Sequence, residues 1–416
     1  MKTLSTFLLF NLLTICASAQ VYQWRGPDRS GIFEETNLLK EWPEEGPELL
    51  LELEGIGKGW SSPVVTADRV FVSGMKDSTD YLSCIDFEGN IVWQKPYGSS
   101  WAKSFPDTRG SATIEDDRVY ILSGQGNLIC FDYENGDTKW EVNVDQVYGA
   151  EWHRWGVSES ILIVDDKVIC TPAGDQTSVI ALDKMSGELV WKTESTGGMR
   201  SYASPIIYEW NGLRYIIAVT GSYLLAVTPD DGKIVWKYEY HDEALWPRQG
   251  GLIWTNTPVF QDNHFWVSKG YNYPSVMLEM DSTGQSIKEK FVDHTFDNHH
   301  HGQILIDGNL YGSNWLNNGK GKWLCMNWER GEIVWIEGWE NKGSIIYADG
   351  LFYLYEEKRG NVALVNPNKN EFDLISSFKV SKGSGPHWSH PYIAHGKLWL
   401  RHGDWMGVYL IRKNSN

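Results

Sequence analysis

Arginine, histidine and large aromatic residues recur in this chain where a short Val- and Ile-rich run is about to begin. These positions are Trp60; Arg109; His153, Arg154 and Trp155; Arg200 and Tyr202; Trp254 and Asn256; His299, His300 and His301; Lys342; and His387 with Trp388. Tyr271, Tyr273, Trp315 and His402, the last with Asp404 and Trp405, follow in loops of the same units. Of eleven histidines, only His264 and His395 fall in hairpin turns instead. If the fold gathers these positions, they make a cationic, ring-lined pocket, which suits an acidic sugar. Arg pairs a carboxylate through two parallel hydrogen bonds, and Trp stacks on a pyranose face.

The economical reaction for such a pocket is β-elimination on a uronate. Cations neutralise the carboxylate and stabilise the enolate-like charge that forms as the C5 proton leaves. A neutral His or a Tyr takes that proton, and a second such group protonates the oxygen departing from C4. We expect His300 or His387 to act as base or acid, with His153 and Tyr202 as rivals, and Arg109, Arg154 and Arg200 to hold the carboxylate. Trp60, Trp254, His299, His301, Lys342, Trp388 and His402 complete the expected substrate-binding set. The leaving group is a sugar or water, so the pattern fits a polysaccharide lyase and a dehydratase (hydro-lyase) equally. Glycoside hydrolysis by two carboxylates fits less well, because bases and aromatics dominate these positions.

A structural reading stands beside the chemical one. A His at the start of a strand commonly serves as a hydrogen-bonding residue, and Asp107, Glu151, Glu243 and Asp297 lie near enough in sequence to neutralise the cations in ion pairs. The case rests on the convergence of many positions. A metal is a second possibility for the histidine triplet. In an extended strand His299 and His301 point to one side and His300 to the other, so a third ligand such as His387 has to come from elsewhere.

The elements that must position these side chains are legible in a repeat. Ala181 to Trp191 reads ALDKMSGELVW: an apolar run, an Asp, a turn with Gly187, and a tryptophan four residues later. The unit returns at Cys84 to Trp93, Cys130 to Trp140, Ala226 to Trp236 and Cys325 to Trp335, and a degenerate copy lies at Asp281 to Lys288. Each reads as a β-hairpin. The tryptophans are 47, 51, 45 and 99 residues apart, the last gap being two repeats. That period predicts an all-β propeller of four-stranded antiparallel blades.

Blades are expected at Ser61–Gln94, Ser111–Trp140, Ser158–Trp191 and Ser204–Trp236. A fifth begins at Thr257, a sixth runs from His301 to Trp335, a seventh from Ser344 to Leu374, and an eighth opens at Pro391. The eighth has three strands of its own. Glu48 to Leu53 supplies the fourth, fastening the ring by joining its two ends and removing an open sheet edge. The expected organisation is a signal peptide over residues 1–19, a lead-in over 20–47 that reads as loop, and one eight-bladed propeller over 48–416.

The signal follows from Lys2, the apolar run Phe7 to Ile15 and Ala17-Ser18-Ala19. The run is too short to span a bilayer, so an exported protein, periplasmic or secreted, with no membrane span is expected. Ile15 is too bulky for the position before a lipidated Cys16. The net charge of −17 argues against nucleic acid and anionic membrane surfaces. Twenty-two tryptophans exceed what one per repeat requires, which leaves aromatics for ligand binding. Cys84, Cys130, Cys170 and Cys325 sit singly in strands and read as buried free thiols.

WRGP at Trp24, SSPVV at Ser61, VSES at Val157, ALDKMSGELVW at Ala181, NHHHG at Asn298, KGS at Lys342 and WSHP at Trp388 resemble the PQQ-like (quinoprotein alcohol dehydrogenase-like) β-propeller proteins over nearly the whole mature chain. The resemblance implies the fold; for activity it implies quinone-dependent dehydrogenases, outer-membrane assembly scaffolds or members of other kinds. The dehydrogenases of that group carry a vicinal Cys-Cys pair and an Asp beside calcium. No two cysteines here are neighbours, so bound PQQ is not expected. The reading is therefore an exported propeller that binds an acidic, uronate-containing oligosaccharide or polysaccharide and degrades it by β-elimination without a cofactor. A non-catalytic envelope scaffold with protein partners is the first alternative, and a PQQ-dependent dehydrogenase the second.

Overall fold

In blades 1 to 3 the tryptophan of the repeat meets the turn glycine of the next blade. In the computed structural model, which describes residues 20–150, 154–240 and 254–413, each such tryptophan lies opposite a small residue on the neighbouring strand. The pairs are Cys84 with Trp93, Cys130 with Trp140, Ala181 with Trp191, Ala226 with Trp236 and Cys325 with Trp335, each followed by a register shift. The small partner lets the indole lie flat and reach the next blade. The Trp93 Nε1 donates to Tyr133 O, Trp140 to Lys184 O, Trp191 to Pro229 O and Trp335 to Asn368 O, at 2.9–3.1 Å. The turn glycine of that next blade receives the ring face. A Cβ on Gly187 would stand 2.7 Å from the Trp140 ring, and Gly136, Gly232 and Gly331 meet Trp93, Trp191 and Phe291 in the same way. Phe291 thus does in blade 5 what tryptophan does in blades 1 to 3, which is why that copy looks degenerate in sequence.

Gly187 also has a φ of +75°. We expect Gly187→Ala to cost roughly 1–3 kcal/mol, from the left-handed backbone and from overpacking against Trp140. The check is a urea midpoint that falls with unchanged m; an unaltered midpoint would show that the blade contact tolerates a methyl group.

Eight sheets form the ring, as expected from the period, and the described residues hold a single short helix, Val144–Tyr148. The last sheet is completed by the N-terminal strand Leu49–Leu53, which pairs antiparallel with Trp405–Leu410, Leu49 lying opposite Tyr409 and Leu53 opposite Met406. The ring is closed by its own two ends. The four cysteines are free and buried, and burial raises the Cys84 thiol to about 12.

The lead-in is more than the loop expected of it. Val21–Tyr22 adds to the innermost strand of blade 2, Thr113–Glu115, and Ile32–Phe33 adds in parallel to the innermost strand of blade 7, Gly343–Ala348. Between them the chain crosses the axis as a strap held by two buried arginines. Arg25 donates to Ile345 O, Gln303 O and Ser30 O, and Arg29 donates to Ser160 O, Ile161 O and Pro205 O. Burial lowers both guanidinium groups to about 9. No helix among the described residues is long and apolar enough to cross a membrane.

Candidate functional site

All eight blade starts contribute to one central cavity of about 550 Å³, a volume ordinary for a small-molecule site. Its wall includes Trp60, Arg109, Arg154, Trp155, Tyr202, Thr255, His299, His300, Lys342 and Trp388, with Tyr271 and Trp315 from the loops of blades 5 and 6. Trp24 of the strap and His390 also line it. The rings touch in a closed circuit. Trp388 meets His300 at 5.2 Å, His300 meets His299 at 4.2 Å, and His299 meets Tyr271 at 4.5 Å. Tyr271 stacks near Trp155 at 6.3 Å, Trp155 meets Phe105 at 6.5 Å, and Phe105 returns to Trp388 at 5.9 Å.

Within this belt the polar groups fall into committed and available sets. Arg109 lies over the Trp60 ring at 4.9 Å and spends its N–H groups on Asp107 O, Phe105 O and Ser104 O, so it ties down the mouth loop. Lys342 Nζ pairs with Glu357 Oε1 at 2.5 Å and donates to Asn317 O. Arg154 is exposed beside Trp155, and its guanidinium has no hydrogen-bond or ion-pair partner among the described residues. The Tyr202 hydroxyl accepts N–H bonds from Arg154 and Trp155 at 3.2 and 3.0 Å, which leaves its own proton to donate. Burial raises the Tyr202 phenol, so it holds that proton at neutral pH.

The histidine run is not the extended strand expected. The innermost strand of blade 6 begins only at Gln303, and the run before it is bent. His299 and His300 therefore both reach the cavity, while His301 turns away to Glu357 Oε2 at 3.1 Å. Both ring nitrogens of His299 are buried without a partner among the described residues. Burial, then the neighbouring imidazoles, hold His299 and His300 well below the usual histidine range, so both are neutral bases. His300 is fixed by a relay from the strap. Arg25 Nη1 donates to His390 Nδ1 at 3.0 Å, which makes His390 the Nε2–H tautomer, and that N–H donates to His300 O at 3.0 Å.

Several expected site residues lie elsewhere. Arg200 is buried between blades 3 and 4, where Asp145 and Glu159 claim it at 2.6 and 2.8 Å. His387 hydrogen-bonds Tyr355 at 2.6 Å and stacks on His402 at 3.5 Å, and His402 faces Lys382 O and Gly385 O. None of the three lines the central cavity. Trp254 is fully buried beside Tyr240, and its carbonyl accepts from Tyr202 N, so it supports the wall from behind. His153, Glu151 and Glu243 lie outside the described residues. Glu357 and His390 were missed: Glu357 follows a strand, not precedes one, and His390 sits two residues past Trp388 within WSHP.

His300, His301 and Glu357 place ligand atoms within 4.8 Å of one another. They do not fit a metal ion. Glu357 already accepts from His301, from Trp388 Nε1 at 2.9 Å and from Lys342, whose charge would oppose a cation. Burial works to raise Glu357, but those donors outweigh it and hold the carboxyl at about 2. Nor do the residues fit a quinone tricarboxylate with its calcium. Among the described residues Glu357 is the only carboxylate on the cavity wall, and Arg154 is its only uncommitted Arg or Lys.

These shifts carry a sign. His299, His300 and His390 are held well below 6.5 by burial, and His387 at about 3 for the same reason. Below pH 6.5 the unfolded chain binds protons on them that the folded chain refuses, so stability falls as pH drops. Buried carboxyls oppose this, Asp297 raised to about 7 and Asp80, Asp107 and Glu159 also raised by burial, while His264 and His301, lowered by burial, add to the histidine side. We expect the urea midpoint to be lower at pH 5 than at pH 7, and a higher midpoint at pH 5 would contradict the neutral assignment.

A family model described as outer membrane protein assembly factor BamB matches residues 78–337. A protein of that name from Alkalilimnicola ehrlichii is 25% identical over 182 residues, 43% of this chain and 43% of its own, so the chain spans less than half the length of that curated relative. Among solved structures, BamB from Moraxella catarrhalis aligns with a TM-score of 0.58 at 16% identity, covering 89% of this chain and 99% of that one. A europium-containing methanol dehydrogenase aligns with a TM-score of 0.68 at 13% identity, covering 92% of this chain and 90% of its own. Those structural likenesses carry the fold and no activity. With a family model matched over more than half its length and eight blades of the expected kind, the chain belongs to the PQQ-like propeller repeat family that this model describes.

Proposed function

We propose that this is an exported propeller that binds an acidic, uronate-containing oligosaccharide in its central cavity and cleaves it by β-elimination. The observation that carries the reading is a closed belt of rings holding one uncommitted guanidinium, one available phenol and two neutral imidazoles. Arg154 pairs with the carboxylate. His300 takes the C5 proton, the C–H electron pair becomes the C4=C5 double bond, and the C4–O bond breaks. The departing oxygen takes the Tyr202 proton, and the N–H groups of Arg154 and Trp155 stabilise the phenolate left behind. His299 lies beside the base at 4.2 Å, and Arg109 holds the mouth loop.

The test is incubation with a panel of acidic oligosaccharides, followed by the ultraviolet absorbance of an unsaturated uronate. New absorbance that depends on Tyr202 and Arg154 supports the reading; silence over a broad panel removes the chemistry.

A second reading is a non-catalytic partner-binding propeller. It is favoured by exposed apolar pairs on the outermost strands of blades 1, 3 and 6, namely Ile91 with Val92, Leu189 with Val190, and Val334 with Ile336, and by the name of the curated relatives, assembly factor. Recovery of envelope proteins that is lost when Leu189 and Val190 become Ser, alongside an inert cavity, selects it.

A further inference from the structure

A second cavity, of about 700 Å³, opens beside the first between blades 1, 2 and 3, and the two share Ser104 and Arg154. Its character differs. The central cavity is walled by rings, whereas this groove is lined by Gln125, Asn127 and Gln146, with Trp101 and Lys103 alongside. The amides are arranged with their acceptors unspent. Gln125 Nε2 donates to Ser100 O at 2.6 Å and Asn127 Nδ2 donates to Tyr97 O at 2.9 Å, which fixes both side chains. Their carbonyl oxygens, and the whole Gln146 amide, have no protein partner among the described residues. Lys103 Nζ lies 5.2 Å from the Trp101 ring centroid and pairs with no described carboxylate. Asp145, the acid in the groove, is turned to Arg200.

Fixed amide acceptors next to a cation and an indole are what a hydroxyl-rich, uncharged ring needs. Hydroxyls of such a ring can donate to amide oxygens and accept from an amide N–H or a lysine ammonium. We infer that this groove is a second sugar subsite, so that the ligand is an oligosaccharide whose uronate sits in the centre against Arg154 and whose neighbour, a neutral sugar, lies in the groove. This rests on the reading of the central cavity given above.

Calorimetry with glucuronate, with a disaccharide of glucuronate and glucose, and with a neutral glucose disaccharide tests it on the full chain. We expect the mixed disaccharide to bind about tenfold or more tighter than glucuronate. The double variant Lys103→Ala/Gln146→Ala, both exposed positions, and the groove-filling Ser99→Trp should each remove that advantage while glucuronate binding stays as it was. An advantage that survives both variants, or none in the unmodified protein, overturns the groove and leaves the centre standing. Binding of the neutral disaccharide alone, abolished by Ser99→Trp, keeps the groove as a sugar site and removes the acidic centre. No binding of any of the three overturns both.

Discussion

His300→Ala lowers turnover of an acidic oligosaccharide by roughly 10²- to 10⁴-fold, the span expected for loss of a general base, while the protein stays folded. The reason for expecting both at once lies in how the residue is held. The anchoring bond from His390 ends on the His300 carbonyl, which alanine retains. The imidazole itself meets Trp388, His299 and His301 only through ring contacts. Removing it therefore takes a basic nitrogen from the cavity without cutting a hydrogen bond to another described residue. His387→Ala is the matched control. It sits outside the cavity, bonded to Tyr355 and stacked on His402, so its loss should show in the urea midpoint and not in the rate per folded molecule. A His300→Ala enzyme as fast as the parent would end the case for this residue as base.

Arg200→Met is expected to show the largest loss of stability, about 3–5 kcal/mol, because it leaves two buried carboxylates without their cation. Asp145 and Glu159 have side chains only 3% and 2% exposed, so water cannot replace the guanidinium. Burial already works to raise the Glu159 carboxyl, and the Arg200 charge opposes it. In the variant Glu159, which burial already works to raise, should take up a proton, so the deficit shrinks as pH falls. A triple variant with Asp145→Asn and Glu159→Gln should recover part of it at neutral pH. Urea midpoints for parent, single and triple variants at pH 5 and 7 check this. A deficit under 1 kcal/mol in the single variant would mean that the two acids find other partners.

The contrast between these two residues shows what the chain reveals in one dimension. Arg154 and Arg200 look alike in sequence: each stands just ahead of a Ser-containing blade start. One faces an open cavity and the other is consumed by acids 41 and 55 positions earlier. Nothing local separates them, since the distinction is made by side chains that the ring closure brings round. The blades themselves were readable because their signal is local, a glycine and a tryptophan within one hairpin. The same holds for the closing strand, predicted from a missing fourth strand and found at Leu49–Leu53. The alternation expected of His299 to His301 failed because the strand begins later than its sequence pattern suggests. Glu357 escaped notice for a related reason: its importance comes from three donors supplied by blades 6, 7 and 8.

The strap that crosses the hub gives the molecule an order of assembly. Its two arginines have their carbonyl acceptors in blades 3, 4, 6 and 7, up to 320 residues away, so it can seat only once those blades stand side by side. The stretch from Val21 to Phe33 is thus among the last to settle. When it settles, it locks the tautomer of His390 and the backbone of His300, so completion of the wheel and shaping of its central cavity are one event.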